Sequence, residues 1–380
     1  MKKICFITTV SMTLTAFVIP TAKMLYETGD YDIAFICGDD EKFKASLPDF
    51  IRFMPININR GVSFDGLKVI KQLRKIFREE KFDIVQYSTP NASIYASIAA
   101  KKEHVPIRLY AQWGIRYVGF DGLKRKLFKL LEKKTCNNST FVWSVSKKNR
   151  QFGIDEKLYP EDKVKVIGRG GTVGVDLSDY DLTKKSFYRN KIRNELKIDN
   201  KFVFTFVGRL SADKGQKELA YAFEKIAKEF KNVRLLLIGQ QETENVFSYI
   251  SDNEQMVIAI GQKPNSEIKN YLAATDVLVH PTYREGFGLV LQEAGAMQVA
   301  VLTTDIPGAG EVFENGSSCL LAKARDGESL YLCMKELYLN EEKRNNIAIN
   351  ARKTTEMFYD RKIMLKNQLE FYKSLVGENA

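Results

Sequence analysis

Apolar and polar residues along this chain follow two periods that alternate with each other. Short apolar runs, typical of strands buried on both faces of a parallel sheet, are separated by longer segments with the period of amphipathic helices. In the first half the runs predict these strands: Lys3–Thr8, Asp32–Cys37, Asp83–Tyr87, Ile107–Ala111, Thr140–Val145 and Lys163–Ile167. The segments between them predict these helices: Leu14–Glu27, Asp65–Glu80, Ala92–Lys102 and Leu123–Lys134.

The second half repeats this alternation. Its apolar runs predict these strands: Val203–Val207, Val233–Ile238, Met256–Ile260, Val277–Val279 and Ala300–Thr303. Its helical segments predict these helices: Lys217–Phe230, Asn265–Ala273, Gly288–Met297, Gly327–Leu339 and Glu341–Phe358. The polar, charge-rich stretch Ser178–Asn200 is interpreted as the connection between two domains. The alternation predicts an α/β fold with one doubly wound parallel sheet in each half, and ligands bound where the carboxyl ends of the strands of two domains face each other.

Length and composition fit two globular domains. At 380 residues, with 44% apolar and 11% aromatic side chains, the chain can form two cores of ordinary size. Its five cysteines are scattered without a Cys-x-x-Cys pair, which favours reduced thiols in a cytoplasm. Two histidines and no Cys/His cluster argue against a structural zinc site. No apolar stretch reaches the roughly 18 residues of a transmembrane helix, so we expect no membrane span.

Two glutamates separated by seven residues form the most informative local pattern. Glu285 lies in a glycine-flanked loop after an apolar strand, and Glu293 lies inside the helix that follows. Four backbone amides at the helix start favour an anion: Gly286, Phe287, Gly288 and Leu289. Because carboxylates accept hydrogen bonds from hydroxyls, the segment predicts a site for a phosphorylated sugar. A solvated acid at the helix edge is the alternative for Glu293, although its apolar neighbours favour a specific partner.

A second pattern follows the strand that ends at Val207. The loop reads Gly208-Arg209-Leu210-Ser211-Ala212-Asp213-Lys214-Gly215, with two cations ahead of the next helix. Arg209 and Lys214 can both reach a diphosphate and stabilise the charge that grows on a departing nucleoside diphosphate. Taken alone, the loop is equally compatible with a solvated turn. Its place at a strand end of the same predicted sheet as the glutamate pair favours one shared site.

These motifs resemble the retaining GT-B glycosyltransferases of family 4. The resemblance rests on Gly208-Arg209-Leu210 with Lys214-Gly215, on the glutamate pair within Arg284-Glu285-Gly286-Phe287-Gly288, and on Gly174-Val175-Asp176. It spans nearly the whole chain and is densest over residues 200–325. It implies a GT-B fold of two facing Rossmann-like domains. Residues 1–177, completed by a helix at about 361–380, would bind the acceptor, and residues 178–360 would bind the donor.

The resemblance also implies a reaction and a division of roles. The enzyme would be a retaining, metal-independent hexosyltransferase that moves a sugar from a nucleotide-sugar, with UDP as the default nucleotide, to a saccharide hydroxyl. Arg209 and Lys214, beside Gly208, would bind the diphosphate, and Glu293 would bind the ribose hydroxyls. Glu285 would lie against the donor sugar and complete the catalytic set. The amides of residues 286–289 would cap the sugar-phosphate end, and no cofactor is expected.

The predicted acceptor side departs from the family pattern. Many members have a histidine where this chain has Gln112 and Trp113, which excludes a catalytic histidine there. Gln112 can donate a hydrogen bond and Trp113 can stack on a sugar, although packing is an equal alternative for both. Hydroxyls of Thr8-Thr9-Val10-Ser11 replace the usual glycine-rich turn. We expect these side chains to form the acceptor cleft: Thr9, Tyr87, Gln112 and Trp113.

Two further features lie near the predicted site. Asp179-Tyr180-Asp181 falls in the predicted connection and is interpreted as an exposed turn, so no metal ligand is expected there. His280 ends a strand close to the glutamate pair. We expect a structural role for His280, with a contact to the sugar as the alternative.

Positive charge is concentrated in the first half. Residues 1–180 contain 30 Lys and Arg against 20 Asp and Glu, a net charge of +10 out of the total of +11. The segment 122–134 combines four leucines with cations that include Lys124, Arg125, Lys126 and Lys129. Such a basic amphipathic helix can lie on an anionic membrane surface. A solvated helix whose leucines face the core is the equal alternative.

The membrane interpretation implies a location and an acceptor class. The enzyme would be cytoplasmic and attached peripherally to the inner face of the cell membrane. Its acceptor would be a saccharide linked to polyprenyl diphosphate, which places it in capsule, exopolysaccharide or lipopolysaccharide biosynthesis.

Two other functions stay open on the residues alone. A net charge of +11 with interspersed aromatic residues is compatible with a basic nucleic-acid-binding protein, although no such motif is present and the glutamate pair is left unexplained. A GT-B sugar-nucleotide epimerase would use the same donor site and convert its sugar without an acceptor. A dinucleotide-dependent oxidoreductase fits less well, because no G-x-G-x-x-G follows the first strand.

Overall fold

The computed structural model describes residues 1–59, 65–243, 247 and 256–377. Contacts divide the chain into two units. Unit 1 is formed by residues 1–173 together with the chain from Met364 onward, and unit 2 by residues 174–363. The acceptor and donor roles that the sequence analysis gives to the two halves stay predictions.

Unit 1 contains a parallel sheet covered by helices. Its strands are β1 (Lys2–Ile7), β2 (Tyr31–Ile36), β3 (Ile51–Phe53), β4 (Ile84–Tyr87), β5 (Ile107–Gln112), β6 (Phe141–Ser144) and β7 (Val164–Lys165). They pair in the order β3-β2-β1-β4-β5-β6-β7. Its first helices are α1 (Ser11–Phe17), α2 (Ile19–Glu27), α3 (Glu41–Ser46), α4 (Asp65–Glu80), α5 (Pro90–Lys102), α6 (Gly122–Asn138) and α7 (Lys147–Asp155). Successive residues of β1 are buried on opposite faces, because helices cover both sides of the sheet.

The first predicted helix is wrong because the segment is interrupted. The predicted segment Leu14–Glu27 forms two helices that meet at Val18, whose φ of −122° leaves the helical range. Pro20 explains the break, since proline lacks an N–H donor and fits only the first turn of a new helix.

Unit 2 repeats the parallel architecture with six strands in its described part. Its strands are β8 (Phe202–Val207), β9 (Val233–Ile238), β10 (Val257–Gly261), β11 (Val277–His280), β12 (Ala300–Thr304) and β13 (Leu320–Ala322), in the order β10-β9-β8-β11-β12-β13. Its helices are α8 (Lys185–Leu196), α9 (Gln216–Glu229), α10 (Asn265–Ala274), α11 (Leu289–Ala296), α12 (Gly327–Leu339) and α13 (Glu341–Thr354), followed by a π-helical turn, Thr355–Tyr359. Two three-residue edge strands, β3 and β13, were not predicted from the sequence.

The predicted polar connection is partly an element of unit 2. Helix α8 lies within it and is attached by two arginines to one carboxylate. Arg189 Nη2 lies 2.8 Å from Asp276 Oδ1, and Arg193 Nη2 lies 2.7 Å from Asp276 Oδ2. Two of the charges in this segment therefore form ion pairs that fix the helix.

The last helix, α14 (Arg361–Gly377), contributes to the core of unit 1. Phe371, Tyr372 and Leu375 are buried there, and Tyr372 donates a hydrogen bond to Gln86 on β4. Residues 378–380 of the predicted helix at about 361–380 lie outside the described residues.

Candidate active site

Two loops of unit 2 start at the same edge of its sheet. Strands β8 and β11 pair in parallel, so the loops that follow Val207 and His280 leave side by side. Gly215 has a φ of +71°, and a Cβ atom there would lie 1.9 Å from the carbonyl oxygen of Pro281. Only glycine therefore allows the two loops to come this close.

Asp213 connects the two loops by hydrogen bonds. Its carbonyl oxygen accepts from the amide of Tyr283 at 2.9 Å. Its carboxylate accepts from Ser211 at 2.6 Å and from Arg284 Nη2 at 3.1 Å. The position of Lys214 relative to Glu285 is thus fixed by the residue that precedes Lys214 in the chain.

Lys214, His280 and Glu285 form a compact cluster between these loops. Lys214 Nζ lies 2.6 Å from Glu285 Oε2, and the two side chains are 12% and 21% exposed. His280 Nε2 lies 3.2 Å from the same oxygen, and the amide of Gly286 donates to Oε1 at 3.1 Å. The carboxylate of Glu285 is therefore held at both oxygens.

This cluster determines the protonation of its members. Burial alone would raise the pKa of Glu285, but the charge of Lys214 and the hydrogen bond from His280 outweigh it and hold the pKa well below its usual value. Burial lowers the pKa of His280. At neutral pH the cluster therefore contains an ionised Glu285 and a neutral His280, so Glu285 can stabilise positive charge but cannot donate a proton.

The start of helix α11 combines a glycine turn with free amides. Gly288 adopts a φ of +70° directly before the helix. Among the described residues the amides of Phe287 and Gly288 have no hydrogen-bond acceptor. The amide of Gly286 donates to the side chain of Glu285, so it is not available to a ligand in this arrangement. Of the predicted anion-binding amides, Phe287 and Gly288 best fit that role.

Glu293 lies on α11, where a tyrosine of a distant segment contacts it. The side chain of Tyr180 interacts with its carboxylate and lowers the pKa of that carboxyl. Burial raises the pKa of Glu293 to about 7, while Tyr180 and the charge of Arg361 oppose this rise. The proposed ribose ligand is therefore a carboxyl group that titrates near neutral pH.

The exposed-turn interpretation of Asp179-Tyr180-Asp181 is wrong for its central residue. Tyr180 is 6% exposed, whereas Asp179 is exposed and pairs with Lys269 at 3.3 Å. Sequence analysis missed the contact with Glu293, although an aromatic residue in a charged segment was a signal of burial. Within the described residues no three His, Cys, Asp or Glu side chains are placed to hold a metal ion.

Arg209 also follows strand β8, but its guanidinium forms an ion pair with Glu242, outside the cluster of Lys214, His280 and Glu285. Its Nη1 donates to Glu242 Oε2 at 2.6 Å, and the side chain is 53% exposed. Gly208 before it has a φ of +148°, and a Cβ at Gly239 would lie 1.8 Å from the Gly208 carbonyl oxygen. Arg209 can therefore reach a ligand only by leaving Glu242.

Two of the predicted acceptor residues are buried structural residues, which corrects the prediction. Tyr87 is fully buried and its hydroxyl lies 2.6 Å from Ser139 Oγ. Gln112 is 1% exposed, donates to Glu132 Oε1 at 2.7 Å and accepts from Tyr159 at 3.0 Å. Because helices cover both faces of this sheet, their places at strand ends do not make them accessible.

The other two predicted acceptor residues lie nearer the surface of unit 1. Thr9 is 8% exposed, and its hydroxyl lies 2.8 Å from that of Thr89, whose φ of +71° is unusual for a non-glycine residue. Trp113 is half-buried against Phe17 and Trp143, and its Nε1 has no hydrogen-bond partner among the described residues. An acceptor contact for Thr9 and Trp113 stays a prediction.

Helix α6 exposes most of its leucines. Leu123, Leu127 and Leu130 are 83%, 50% and 65% exposed, so the alternative in which they face the core is wrong for these three. The buried residues of the helix are Glu132, Thr135, Cys136 and Asn138.

Cations accompany these leucines on α6. Lys129 lies 2.6 Å and Arg125 3.9 Å from Glu156, and Lys124 lies over the ring of Phe120. Lys126 is exposed. No helix in the described ranges is long and apolar enough to cross a membrane.

Two protein-family models match the chain. Residues 3–146 match the family described as Glycosyl transferase 4-like, and residues 188–354 match the family described as Glycosyl transferases group 1. The second match includes every residue of the Lys214, His280 and Glu285 cluster as well as Glu293.

Relatives and solved structures agree with these matches. The capsular polysaccharide biosynthesis glycosyltransferase CapM of Staphylococcus aureus is 29% identical over 357 residues, which cover 92% of this chain and 91% of CapM. An Escherichia coli enzyme, UDP-Gal:α-D-GlcNAc-diphosphoundecaprenol α-1,3-galactosyltransferase, is 26% identical over 82% of this chain and 79% of its own length. Anabaena HepE, solved with UDP and glucose, superposes with a TM-score of 0.77 at 20% identity, covering 98% of this chain and 100% of HepE. The predicted GT-B fold class is confirmed.

Proposed function

We propose that this chain, in which residues 188–354 match the group 1 glycosyl transferases and residues 3–146 match the glycosyl transferase 4-like family, transfers a sugar from a UDP-sugar to a hydroxyl of a lipid-linked saccharide, with retention of the anomeric configuration. The main support is the cluster in which Lys214 and His280 both contact one oxygen of Glu285. It places a cation and an oriented carboxylate side by side at the end of two parallel strands. A nucleoside diphosphate joined to a sugar needs both kinds of group.

In this proposal each side chain contacts one part of the donor. Lys214 and Arg209 bind the diphosphate, and the amides of Phe287 and Gly288 bind the sugar-phosphate end. Glu285 lies against the sugar, where its negative charge stabilises an oxocarbenium-like transition state. Glu293 accepts hydrogen bonds from the ribose hydroxyls. Lys214 and Arg209 supply the charge stabilisation that a metal ion gives in other enzymes, so the reaction is proposed to proceed without a metal ion.

The proposed chemical step forms and breaks bonds on one face of the sugar. The bond between the anomeric carbon and the β-phosphate oxygen breaks, and the electron pair leaves with UDP. The acceptor oxygen bonds to the anomeric carbon from the same face, and its proton passes to the departing phosphate oxygen. Because no free side-chain base is needed, the low pKa of Glu285 and the neutral His280 are compatible with this step.

The proposed acceptor is a saccharide on polyprenyl diphosphate at the inner surface of the cell membrane. The E. coli relative is named for an acceptor of this kind. The exposed leucines and cations of α6 give unit 1 an apolar and basic surface suited to anionic lipid. The protein would then be cytoplasmic and peripherally attached, and would act in capsule, exopolysaccharide or lipopolysaccharide assembly.

Donor binding and product analysis test this function together. Thermal shifts are measured without added metal with UDP, GDP, ADP, UDP-glucose, UDP-galactose and UDP-GlcNAc, on the wild type and on Glu293→Ala. We expect a shift with the UDP compounds that is lost in the variant. The sugar is then transferred to GlcNAc-diphosphoundecaprenol, and the anomeric proton of the product is assigned by NMR. A product of inverted configuration, or conversion of the donor sugar without acceptor, contradicts the proposal, and the latter favours an epimerase.

A further inference from the structure

His280 is locked in place inside unit 2. Its side chain is 2% exposed and lies nearly parallel to the ring of Phe206, with centroids 5.7 Å apart and an interplanar angle of 13°. A Cβ atom at Gly208 would lie 3.8 Å from its Cε1, so the neighbouring loop closes over the ring. Its carbonyl oxygen accepts from the Thr303 hydroxyl at 2.9 Å. The imidazole therefore has little freedom to turn.

The two ring nitrogens of His280 have different surroundings. Nε2 faces Glu285 Oε2 at 3.2 Å, whereas Nδ1 has no hydrogen-bond partner among the described residues. An ionised carboxylate can only accept, so Nε2 must carry the proton. The remaining Nδ1 is bare in the neutral ring. Burial and the charge of Lys214 disfavour a second proton there, although Glu285 favours it.

Lys214 and His280 hold the same oxygen of Glu285 by different means. Lys214 is a flexible cation, which a diphosphate can attract away from the carboxylate. His280 is a neutral donor fixed by packing, so a phosphate attracts it much less. A bound nucleotide-sugar can therefore displace Lys214 from the carboxylate, but it leaves His280 in place.

We propose that His280 is a positioning residue that keeps Glu285 aimed at the donor sugar while Lys214 turns to the diphosphate. This inference rests on the proposed function. It predicts that His280 affects turnover more than nucleotide binding, because UDP alone has no sugar for Glu285 to contact. A misplaced carboxylate of this kind lowers turnover by about 100-fold.

Kinetics of His280→Ala and His280→Gln test the inference. We expect His280→Ala to bind UDP within about threefold of the wild type and to lose about 100-fold in kcat with little change in KM. Glutamine places an amide N–H near the position of Nε2, so His280→Gln should recover at least tenfold of that loss. His104→Ala, which changes the other histidine of the chain, an exposed one, is the control and should keep full activity.

A measurement on the wild type keeps the test independent of how the variants fold. Nitrogen NMR of the two histidine rings, assigned with His104→Ala, should find His280 in the neutral tautomer protonated at Nε2 at pH 7. Protonation at Nδ1, or a full kcat in His280→Ala, overturns the inference alone. A wild type that neither binds a UDP-sugar nor transfers its sugar instead overturns the proposed function.

Discussion

Lys214 and Glu285 form an ion pair in which Nζ lies 2.6 Å from Oε2, with both side chains mostly buried. The residues are 71 positions apart and are joined through the Asp213 bonds between their loops. A pair of this kind neutralises two charges that burial would otherwise penalise. A diphosphate that reaches Lys214 can replace Glu285 as its partner. The carboxylate is then free to contact the sugar, so the ion pair holds both groups in position before the nucleotide-sugar binds.

Lys214→Ala tests the part of this pair that binds the diphosphate. The variant removes the cation and leaves Glu285 with His280 and an amide as its partners. We expect kcat/KM to fall by about 100-fold or more, since one electrostatic contact to a transition state contributes on that scale. UDP affinity, measured by calorimetry, should fall as well.

The exposed Lys217 is the matched control for Lys214. Lys217→Ala changes a lysine three residues further along without touching Glu285, and should keep wild-type kcat/KM. Both variants should stay folded, as judged by circular dichroism. Near-normal turnover in Lys214→Ala would remove Lys214 from the site.

Donor binding should depend on pH through Glu293. Burial raises the pKa of this carboxyl to about 7, and only its ionised form accepts hydrogen bonds from both ribose hydroxyls. We therefore expect the affinity for UDP to rise between about pH 6 and pH 8. Tyr180→Phe removes the hydroxyl whose interaction with Glu293 lowers this pKa, so UDP affinity of the variant should rise at higher pH than that of the wild type. The midpoint is read from UDP titrations at a series of pH values.

Glu293 should also make the free energy of unfolding depend on pH, but in the opposite direction to UDP affinity. Because the folded pKa of about 7 lies above the ordinary value of 4.5, the folded state holds a proton that the unfolded state has lost. The contribution of Glu293 to the free energy of unfolding is therefore present below about pH 4.5 and decreases as pH rises to about 7. Glu293→Gln should abolish this part of the pH dependence. Tyr221→Phe, which removes an exposed hydroxyl bonded to Glu328, is the control. It should leave unchanged both the midpoint pH of UDP affinity and the pH range over which stability decreases.

A glycine behind the Glu285 loop allows a test with a matched control. Gly308 has a φ of +88°, and a Cβ there would lie 2.2 Å from the Gly286 carbonyl oxygen. Gly316 has a similar φ of +78° but no heavy atom within 4 Å of such a Cβ. Each alanine variant is destabilised by about 1 kcal/mol from its backbone conformation. Only Gly308→Ala also displaces the loop, so we expect it alone to lose about 10-fold to 100-fold in kcat/KM.

Denaturant unfolding and kinetics of both glycine variants separate the two effects. A catalytic loss in Gly316→Ala as large as that in Gly308→Ala would mean that general destabilisation, and not the position of the loop, lowers activity.

Sequence patterns predicted the parallel sheets and the loops after β8 and β11, because buried runs and strand ends are local signals. They did not predict the contacts that depend on packing. The hydroxyl of Tyr180 reaches Glu293 across 113 positions, and no local period indicates such a pair. Tyr87 and Gln112 lie at strand ends as expected, yet burial on both faces of a parallel sheet makes the accessible face impossible to identify from alternation alone.

The leucines of α6 give the last prediction, which concerns the membrane. Leu123 and Leu130 are 83% and 65% exposed on a basic helix, whereas Leu332 and Leu339, at 55% and 60%, lie on α12 of unit 2. Burying one leucine in lipid contributes about 1.5 to 3 kcal/mol. Replacing Leu123 and Leu130 by serine should therefore weaken co-sedimentation with phosphatidylglycerol vesicles by about 10-fold or more, whereas the same change at Leu332 and Leu339 should not.

Charge and activity measurements complete the membrane test. Replacing Lys124, Arg125 and Lys126 by serine should also weaken attachment, and raising the salt concentration should reduce binding of the wild type, because the attraction to anionic lipid is screened. Hydrolysis of the UDP-sugar should stay intact in the α6 variants, since these substitutions lie in unit 1 and leave the Lys214 and Glu285 pair unchanged. Equal co-sedimentation of the α6 and α12 variants would show that α6 is not the membrane-binding surface.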